Sequence, residues 1–384
     1  MDQNGKYIDK LVYRYTSRVA AKRQAGSAKA ERVTLKTIAD ELGVSRMTVS
    51  NAYNRPEKLS PALREKVLAT AKRLGYTGPD PVAATLRRGH VGALGLLFDD
   101  PLPYAFTDPA AVLFFEGIAA VCEQEQVGLV LVPNRFGKPE GADLTRTALV
   151  DGFIGYTDVV DDGRLDVIEE RGLPLVIADG PPREGARSVG IDDRGAARRA
   201  AEHLLELGHR HIGLVTMPFS PDGYEGPSDL ERQATARYYC NRERVAGVRA
   251  GLEAAGIDWG AVPIEERIPH GRGAGRRAAA ALLDRADRPT ALLAMSDELA
   301  IGALHAAAER GLAVPEELSI IGFDDTPVAA DAHPPLSTVA QPHREKGETA
   351  ARMLLDPDAQ PSRADLPTHL VVRDSTAPPG HTRR

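Results

Sequence analysis

From Val91 onward, short apolar runs alternate with alanine-rich amphipathic segments, and this alternation constrains the fold more than any other feature of the chain. Strands are predicted at Ala93 to Phe98, Val127 to Val132, Gly152 to Tyr156, Pro174 to Ala178 and His211 to Thr216, then at Ala291 to Met295, Leu318 to Gly322 and Thr368 to Val372. Helices such as Ala196 to Leu207 and Ala274 to Leu283 fall between them. A strand buried on both faces reads as a continuous apolar run, and two parallel strands need a crossover that a helix supplies. The pattern therefore specifies parallel α/β sheets. At 384 residues the chain is longer than one hydrophobic core usually organises, and the alternating part alone exceeds one sheet. Two lobes are predicted.

Residues 31–76 follow a different pattern, crowded with short helical segments. Thr34 caps a helix that carries Leu35, Ile38, Ala39 and Leu42 and stops at Gly43. Ser45 caps the next, and Ser60-Pro61 opens a third that runs through Leu63, Val67, Leu68 and Ala71 to Gly75. Thr34 to Asn51 has the form of a helix-turn-helix: Ala39 is small where the helices cross, Gly43 takes the turn, and Ile38, Val44 and Val49 pack the joint. The second helix of such a motif lies in the DNA major groove with its first turn against base edges. Its outward residues are Ser45, Arg46, Met47, Thr48, Ser50 and Asn51. Arg46 suits bidentate donation to a guanine, Asn51 pairing with an adenine, and Met47 contact with a thymine methyl.

Charge supports this reading. The formal net charge is −6, yet residues 1–88 hold 18 Lys+Arg against 8 Asp+Glu, and the remainder holds 30 against 46. A basic segment on an acidic body points to a polyanion partner for the segment. The predicted organisation is a basic, disordered arm over 1–30, a DNA-binding domain over 31–76, a linker with one short helix over 77–89, and a core over 90–384. No apolar run reaches the length of a membrane span, and Met1 to Lys29 lacks the apolar centre of a signal peptide. A cytoplasmic protein with no membrane partner is predicted. Cys122 and Cys240, neither in a CxxC, fit a reducing compartment and argue against structural zinc. No cofactor is expected.

Thr34 to Asn54, with Val-Ser-x-x-Thr-Val-Ser-x-x-x-Asn ending at Asn54, resembles the N-terminal signature of the lactose-repressor family of bacterial regulators. The resemblance continues through Arg64-Glu65-Lys66-Val67 and Leu74-Gly75-Tyr76, and resumes at Val189 to Asp193 and Glu202 to His209. It extends through Ala294 to Asp297 and Ile321 to Asp325, and closes at Pro335 to Val339. It implies an N-terminal all-α helix-turn-helix headpiece with a hinge helix, followed by a two-lobed α/β core like that of periplasmic sugar-binding proteins. Lobe one would take about 91–190 plus 343–372, and lobe two about 191–340. Thr34 and Asn54 join the DNA-contacting set by this resemblance, as do Val82, Ala83 and Leu86 of the hinge segment. Leu86 matches the leucine that wedges into the minor groove at the operator centre, while Ala84 stands where the family usually has arginine.

The same resemblance implies a homodimer on an inverted-repeat double-stranded DNA operator. It also implies a small-molecule effector, a sugar or nucleoside-like metabolite, held between the lobes by Asp179, Arg244, His270 and Asp297. Asp297 and Arg244 would face each other across the cleft and take adjacent hydroxyls. The loop after the first strand adds Asp99, Tyr104 and Phe106 as candidate wall residues. The function predicted is a sequence-specific transcriptional regulator, most simply a repressor, and not an enzyme.

Competing readings are weaker. His209-x-His211 lacks a carboxylate at ligand spacing. Gly271-Arg272-Gly273-Ala274-Gly275 follows no clear strand and has no Lys-Ser/Thr. The doubled acids Asp99-Asp100, Asp161-Asp162, Asp192-Asp193 and Asp324-Asp325 read as turn and cap residues. A solute-binding protein of a transport system would suit the core alone, but leaves the headpiece without a purpose.

Overall fold

The computed structural model describes residues 33–78, 89–98, 101–133, 140–156, 163–268, 271–356, 358 and 360–380. The chain divides into two compact units, residues 1–89 and 90–384.

The described part of the first unit is three helices: α1 Leu35–Leu42, α2 Arg46–Asn54 and α3 Pro61–Arg73. Local chemistry sets their ends. Thr34 and Thr37 form a reciprocal capping box, so two of the amide donors at the start of α1 find partners. Gly43 ends α1 in the left-handed region at φ 66°, where a side chain would be strained. Ser45 Oγ accepts from Thr48 N at 3.0 Å to start α2, and Ser60 caps α3 with Pro61 in its first turn. Ile38, Ala39, Val49, Ala52, Val67 and Ala71 form the buried core, with Val44 and Tyr53 packed on it.

The second unit carries two sheets. The first is ordered β12-β5-β4-β3-β1-β2 and is wholly parallel: β1 Ala93–Phe98, β2 Gly128–Pro133, β3 Gly152–Tyr156, β4 Leu175–Ala178, β5 Arg187–Ile191 and β12 Arg363–Leu366. The second is ordered β13-β11-β10-β9-β6-β8-β7: β6 Ile212–Thr216, β7 Gly226–Pro227, β8 Ile264–Glu266, β9 Ala291–Ala294, β10 Ser319–Asp324, β11 Ser337–Ala340 and β13 His369–Val371. Only β7 and β13, its two edges, run antiparallel to their neighbours. The helices that cover them are α4 Pro109–Glu125, α5 Glu140–Thr147, α6 Arg164–Glu170, α7 Asp193–Glu206, α8 Tyr239–Ala254, α9 Arg272–Leu283, α10 Asp297–Glu309 and α11 His343–Leu355.

Two expectations change. The family resemblance places residues 343–372 in lobe one as a block; α11 and β12 do belong there, but β13 pairs with β11 in the second sheet. The chain therefore crosses between lobes once more than expected. Strands β5, β8, β11 and β12 are not foreseen because they are short and carry polar residues, and β7 because it is only Gly226–Pro227, so none shows a continuous apolar run. The polar stretch from Pro218 to Cys240 is held by side-chain bonds within itself and to Trp259 and Glu266. Arg232 bridges Glu266 (2.8 Å from Nε to Oε1) and Asp222, and buried Trp259 donates Nε1–H to Gln233 at 2.8 Å.

Candidate functional site

Two surfaces carry the candidate site residues. On the headpiece, the buried face of α2 is Val49 and Ala52, which turns Arg46 and Met47 outward; Met47 is 70% exposed. Such exposure of an apolar side chain at the start of a helix has no packing purpose among the described residues of this unit. Ser50 and Asn51 lie half-buried beside them. Thr34 and Ser45 are occupied as helix caps, and Asn54 Nδ2 donates to Ser50 O at 3.1 Å and to Ser50 Oγ at 3.2 Å, closing the last turn. Thr34 thus fixes the start of α1, and Ser45 and Asn54 the two ends of α2. Val82, Ala83 and Leu86 of the hinge segment lie outside the described residues.

The second surface lies where the carboxyl ends of the two sheets meet, the position at which open α/β sheets place ligands. Lobe one contributes Tyr156 at the end of β3, Asp179 after β4, and the first turn of α11 with His343 and Lys346. Lobe two contributes Asp193, Arg244 and Asp324, the last ending β10. Lys346 is fully buried; its Nζ donates to Asp179 Oδ2 at 2.6 Å and to Gln341 Oε1 at 2.9 Å. Gln341 in turn donates from Nε2 to Asp324 Oδ1 at 2.6 Å. Arg244 donates from Nε to Asp193 Oδ1 at 2.8 Å and from Nη1 to the Met295 carbonyl at 2.7 Å, and its guanidinium stacks 3.9 Å from the Phe323 ring centroid. Asp324 Oδ1 sits 3.9 Å from Arg244 Nη1 and 3.7 Å from His343 Nε2.

The electrostatics follow from burial. Desolvation pushes the Asp324 carboxyl well above the usual range against the pull of Arg244, and raises Asp193 in the same way. Desolvation, with Lys346 and Arg244 nearby, holds His343 well below an ordinary imidazole, so it is neutral. For Arg244, burial works to lower the pKa, but Asp193 and Asp324 outweigh it and keep the guanidinium charged. Tyr156 is raised well above an ordinary phenol by burial and by Asp179. Three acids adopt left-handed backbone that ordinarily favours glycine: Asp179 at φ 54°, Asp324 at φ 124° and Asp325 at φ 53°. Strain of this kind persists where the surroundings over-determine it and gathers at ligand sites. Asp179 and Asp193 also line a small open recess with Ser188, Tyr239 and Arg363.

The pairing of Asp297 with Arg244 across the cleft is corrected. Asp297 is fully buried within lobe two, where Oδ1 accepts from Thr338 Oγ1 at 2.6 Å and Oδ2 from Thr326 N and Oγ1 at 2.8 and 3.1 Å. It is the first residue of α10 and Ser296 is the cap; the acids that face Arg244 are Asp193 and Asp324. Asp324, read as a turn acid, is instead part of the cluster. Asp192 does cap α7, accepting from Gly195 N at 2.8 Å. Phe106 is 63% exposed, whereas Tyr104 is half-buried against the cluster of Phe98, Ala105 and Ala111. Asp99 and His270 lie outside the described residues. Sequence reasoning missed Gln341, His343 and Lys346; the one available signal was a lysine and a histidine within an otherwise ordinary helix start.

Two family descriptions match parts of the chain. Residues 34–78 match the family described as bacterial regulatory proteins, lacI family, and residues 201–376 match the periplasmic binding protein-like domain. The chain is similar to an HTH-type transcriptional regulator of Mycolicibacterium smegmatis, 42% identical over 91% of this chain and 97% of that protein. Among solved structures it resembles the lac repressor dimer bound to operator and the anti-inducer ONPF, at a TM-score of 0.72 and 27% identity over 90% of this chain and 100% of that one. It also resembles the transcriptional regulator CelR–cellobiose complex, at a TM-score of 0.65 and 29% identity with the same coverage. Among the described residues no helix is long and apolar enough to cross a membrane.

Proposed function

This chain belongs to the lacI family of bacterial regulatory proteins and is a DNA-binding transcriptional regulator, not an enzyme, and we propose that it is a repressor governed by a small effector held between its two lobes. The observation that carries the proposal is the buried polar cluster at the lobe junction. Asp179, Lys346 and His343 come from one lobe, and Arg244, Asp193 and Asp324 from the other. A polar ligand there touches both lobes at once, and so binds unequally to their open and closed arrangements, which is the condition for any ligand to shift an equilibrium. The effector is a sugar or a nucleoside-like metabolite, in keeping with the CelR–cellobiose relative.

The DNA partner is an inverted-repeat operator read by a homodimer. One headpiece spans too few base pairs for specificity, and two-fold protein symmetry demands a two-fold site. The lac repressor relative is a dimer on its operator. Arg46, Met47, Ser50 and Asn51 read base edges, Thr34, Ser45, Thr48 and Asn54 hold the helix against phosphates, and Leu86 enters the minor groove beside Val82 and Ala83. A gel-shift series on an inverted repeat selected from random DNA, with and without effector, tests this. The expected result is one dimer per site and an effector-dependent change of affinity. Equal binding to selected and random DNA would overturn it.

A further inference from the structure

We infer that Asp151 is a positioning residue: it fixes the point at which the chain from the DNA-binding headpiece enters the core, and so sets the half-site spacing that the protein accepts. The inference rests on the inverted-repeat reading above and carries it to one residue.

Asp151 lies half-buried immediately before β3. Its carboxylate accepts from three consecutive backbone amides, Oδ1 from Val91 N, and Oδ2 from Gly92 N at 2.6 Å and Ala93 N at 3.3 Å. Its own amide donates to the Ala93 carbonyl at 2.8 Å. Gly92 sits in the left-handed region at φ 78°, a bend of the kind that lets successive amides converge on one anion. Hydrogen bonds to a carboxylate are about twice as strong as those between neutral groups, and here they fall on a single short segment.

The place of that segment in the chain gives the contact its meaning. Val91 and Gly92 precede β1, whose pairing begins at Ala93 with β2 and at Leu94 with β3. Ahead of that point the sheet adds the bond from Gly128 N to the Gly92 carbonyl at 2.8 Å, while the amides of Val91 and Gly92 go to Asp151. On the other side, α3 ends at Arg73 and residues 74–90 lead from it to Val91. The anchor is thus the fixed end of a tether. Were Asp151 to let go, residues 90–92 would join the tether, and three extended residues add about 10 Å of reach. One base pair takes up only about 3.4 Å along the DNA axis. Two headpieces on tethers of fixed reach gain from each other only on half-sites that both can span at once. A carboxylate that merely strengthened the sheet would alter unfolding and leave this spacing requirement untouched.

Gel shifts of the full chain on the selected inverted repeat, and on versions with one and two base pairs added at its centre, test this. The wild type should lose about 100-fold in affinity at two added base pairs. Asp151→Asn, which sets an amide donor where an oxygen accepts, should lose about tenfold or less, and so should a chain with two glycines inserted between Gly89 and His90. Gly302→Ala, which strains a helix crossing in lobe two and leaves the anchor intact, should keep the wild-type profile. Amide hydrogen exchange at Val91 and Gly92 should quicken about tenfold or more in Asp151→Asn, with Leu94 to Phe98 still protected. A wild type indifferent to spacing, an Asp151→Asn profile or exchange rate like that of the wild type, or equal relaxation in Gly302→Ala overturns the inference. Failure of the inverted-repeat reading is seen separately, as a wild type that binds the selected repeat no better than random DNA; the exchange rates then decide the anchor without DNA.

Discussion

Arg46 and Asp297 illustrate how differently a charged residue behaves at the surface and inside. Arg46 projects, exposed, from the first turn of α2. Arg46→Ala should cost about 1–3 kcal/mol on the specific site and relax preference at one position in each half-site, as read by gel shift on single-base variants. Equal losses on specific and random DNA would reduce Arg46 to a phosphate contact. Asp297 is the opposite case: burial raises its carboxyl to about 7, and the donors Thr338 and Thr326 only partly oppose the shift. An acid raised on folding holds its proton more tightly in the folded chain. Its stabilising contribution is complete below the unfolded value near about 4 and is lost as pH rises through the folded value. Asp297→Asn has no such dependence, so the wild type should lose stability relative to the variant between about pH 4 and 7, with a level difference above. Urea midpoints of both proteins across that range measure it, and a gap that ignores pH means the carboxylate is ionised throughout.

At the level of elements, close helix crossings decide how tightly the lobes are built. α9 and α10 meet through Gly275 and Gly302: a methyl on Gly302 would penetrate the Arg272 carbonyl, and one on Gly275 the Leu299 carbonyl. Backbone offers no rotamer to move aside, so Gly302→Ala must push the helices apart and strain the alanine-rich core beneath, Ala274, Ala278, Ala303 and Ala307. A loss of about 1–3 kcal/mol in urea unfolding is expected, and a neutral result would mean the crossing is looser than described. The alanine content of these helices is visible in the sequence. Its larger meaning, that small residues permit close approach, depends on which helices face each other.

At the scale of the whole molecule, the charge asymmetry separates affinity from choice of site. Residues 1–88 are basic and the remainder acidic, so the DNA-facing segment is drawn to phosphate while the body is not. Removal of residues 1–30 should weaken binding to specific and random DNA alike and flatten the dependence of affinity on salt, since fewer counterions are released. Titrations at three salt concentrations check this; a loss confined to the specific site would give the arm a reading role.

The headpiece was legible almost residue by residue because its information is local. Thr34, Gly43, Ser45 and Ser60 act on amides and turns within three residues of themselves, and all four end helices where expected. The two-lobed α/β core was legible from apolar periodicity, which reports burial and needs no partner to be named. The cleft was only half legible. Arg244 and Asp179 lie at the junction, but Asp297 turned inward to Thr326 and Thr338, while Asp193 and Asp324 took its place opposite Arg244. Lys346 and His343 stand more than 160 residues from Asp179 in the chain, and Lys346 touches it directly. Local patterns determine where elements begin and end, whereas a carboxylate's partner is whatever charge the completed fold brings within 4 Å, and that is decided only when the two sheets meet.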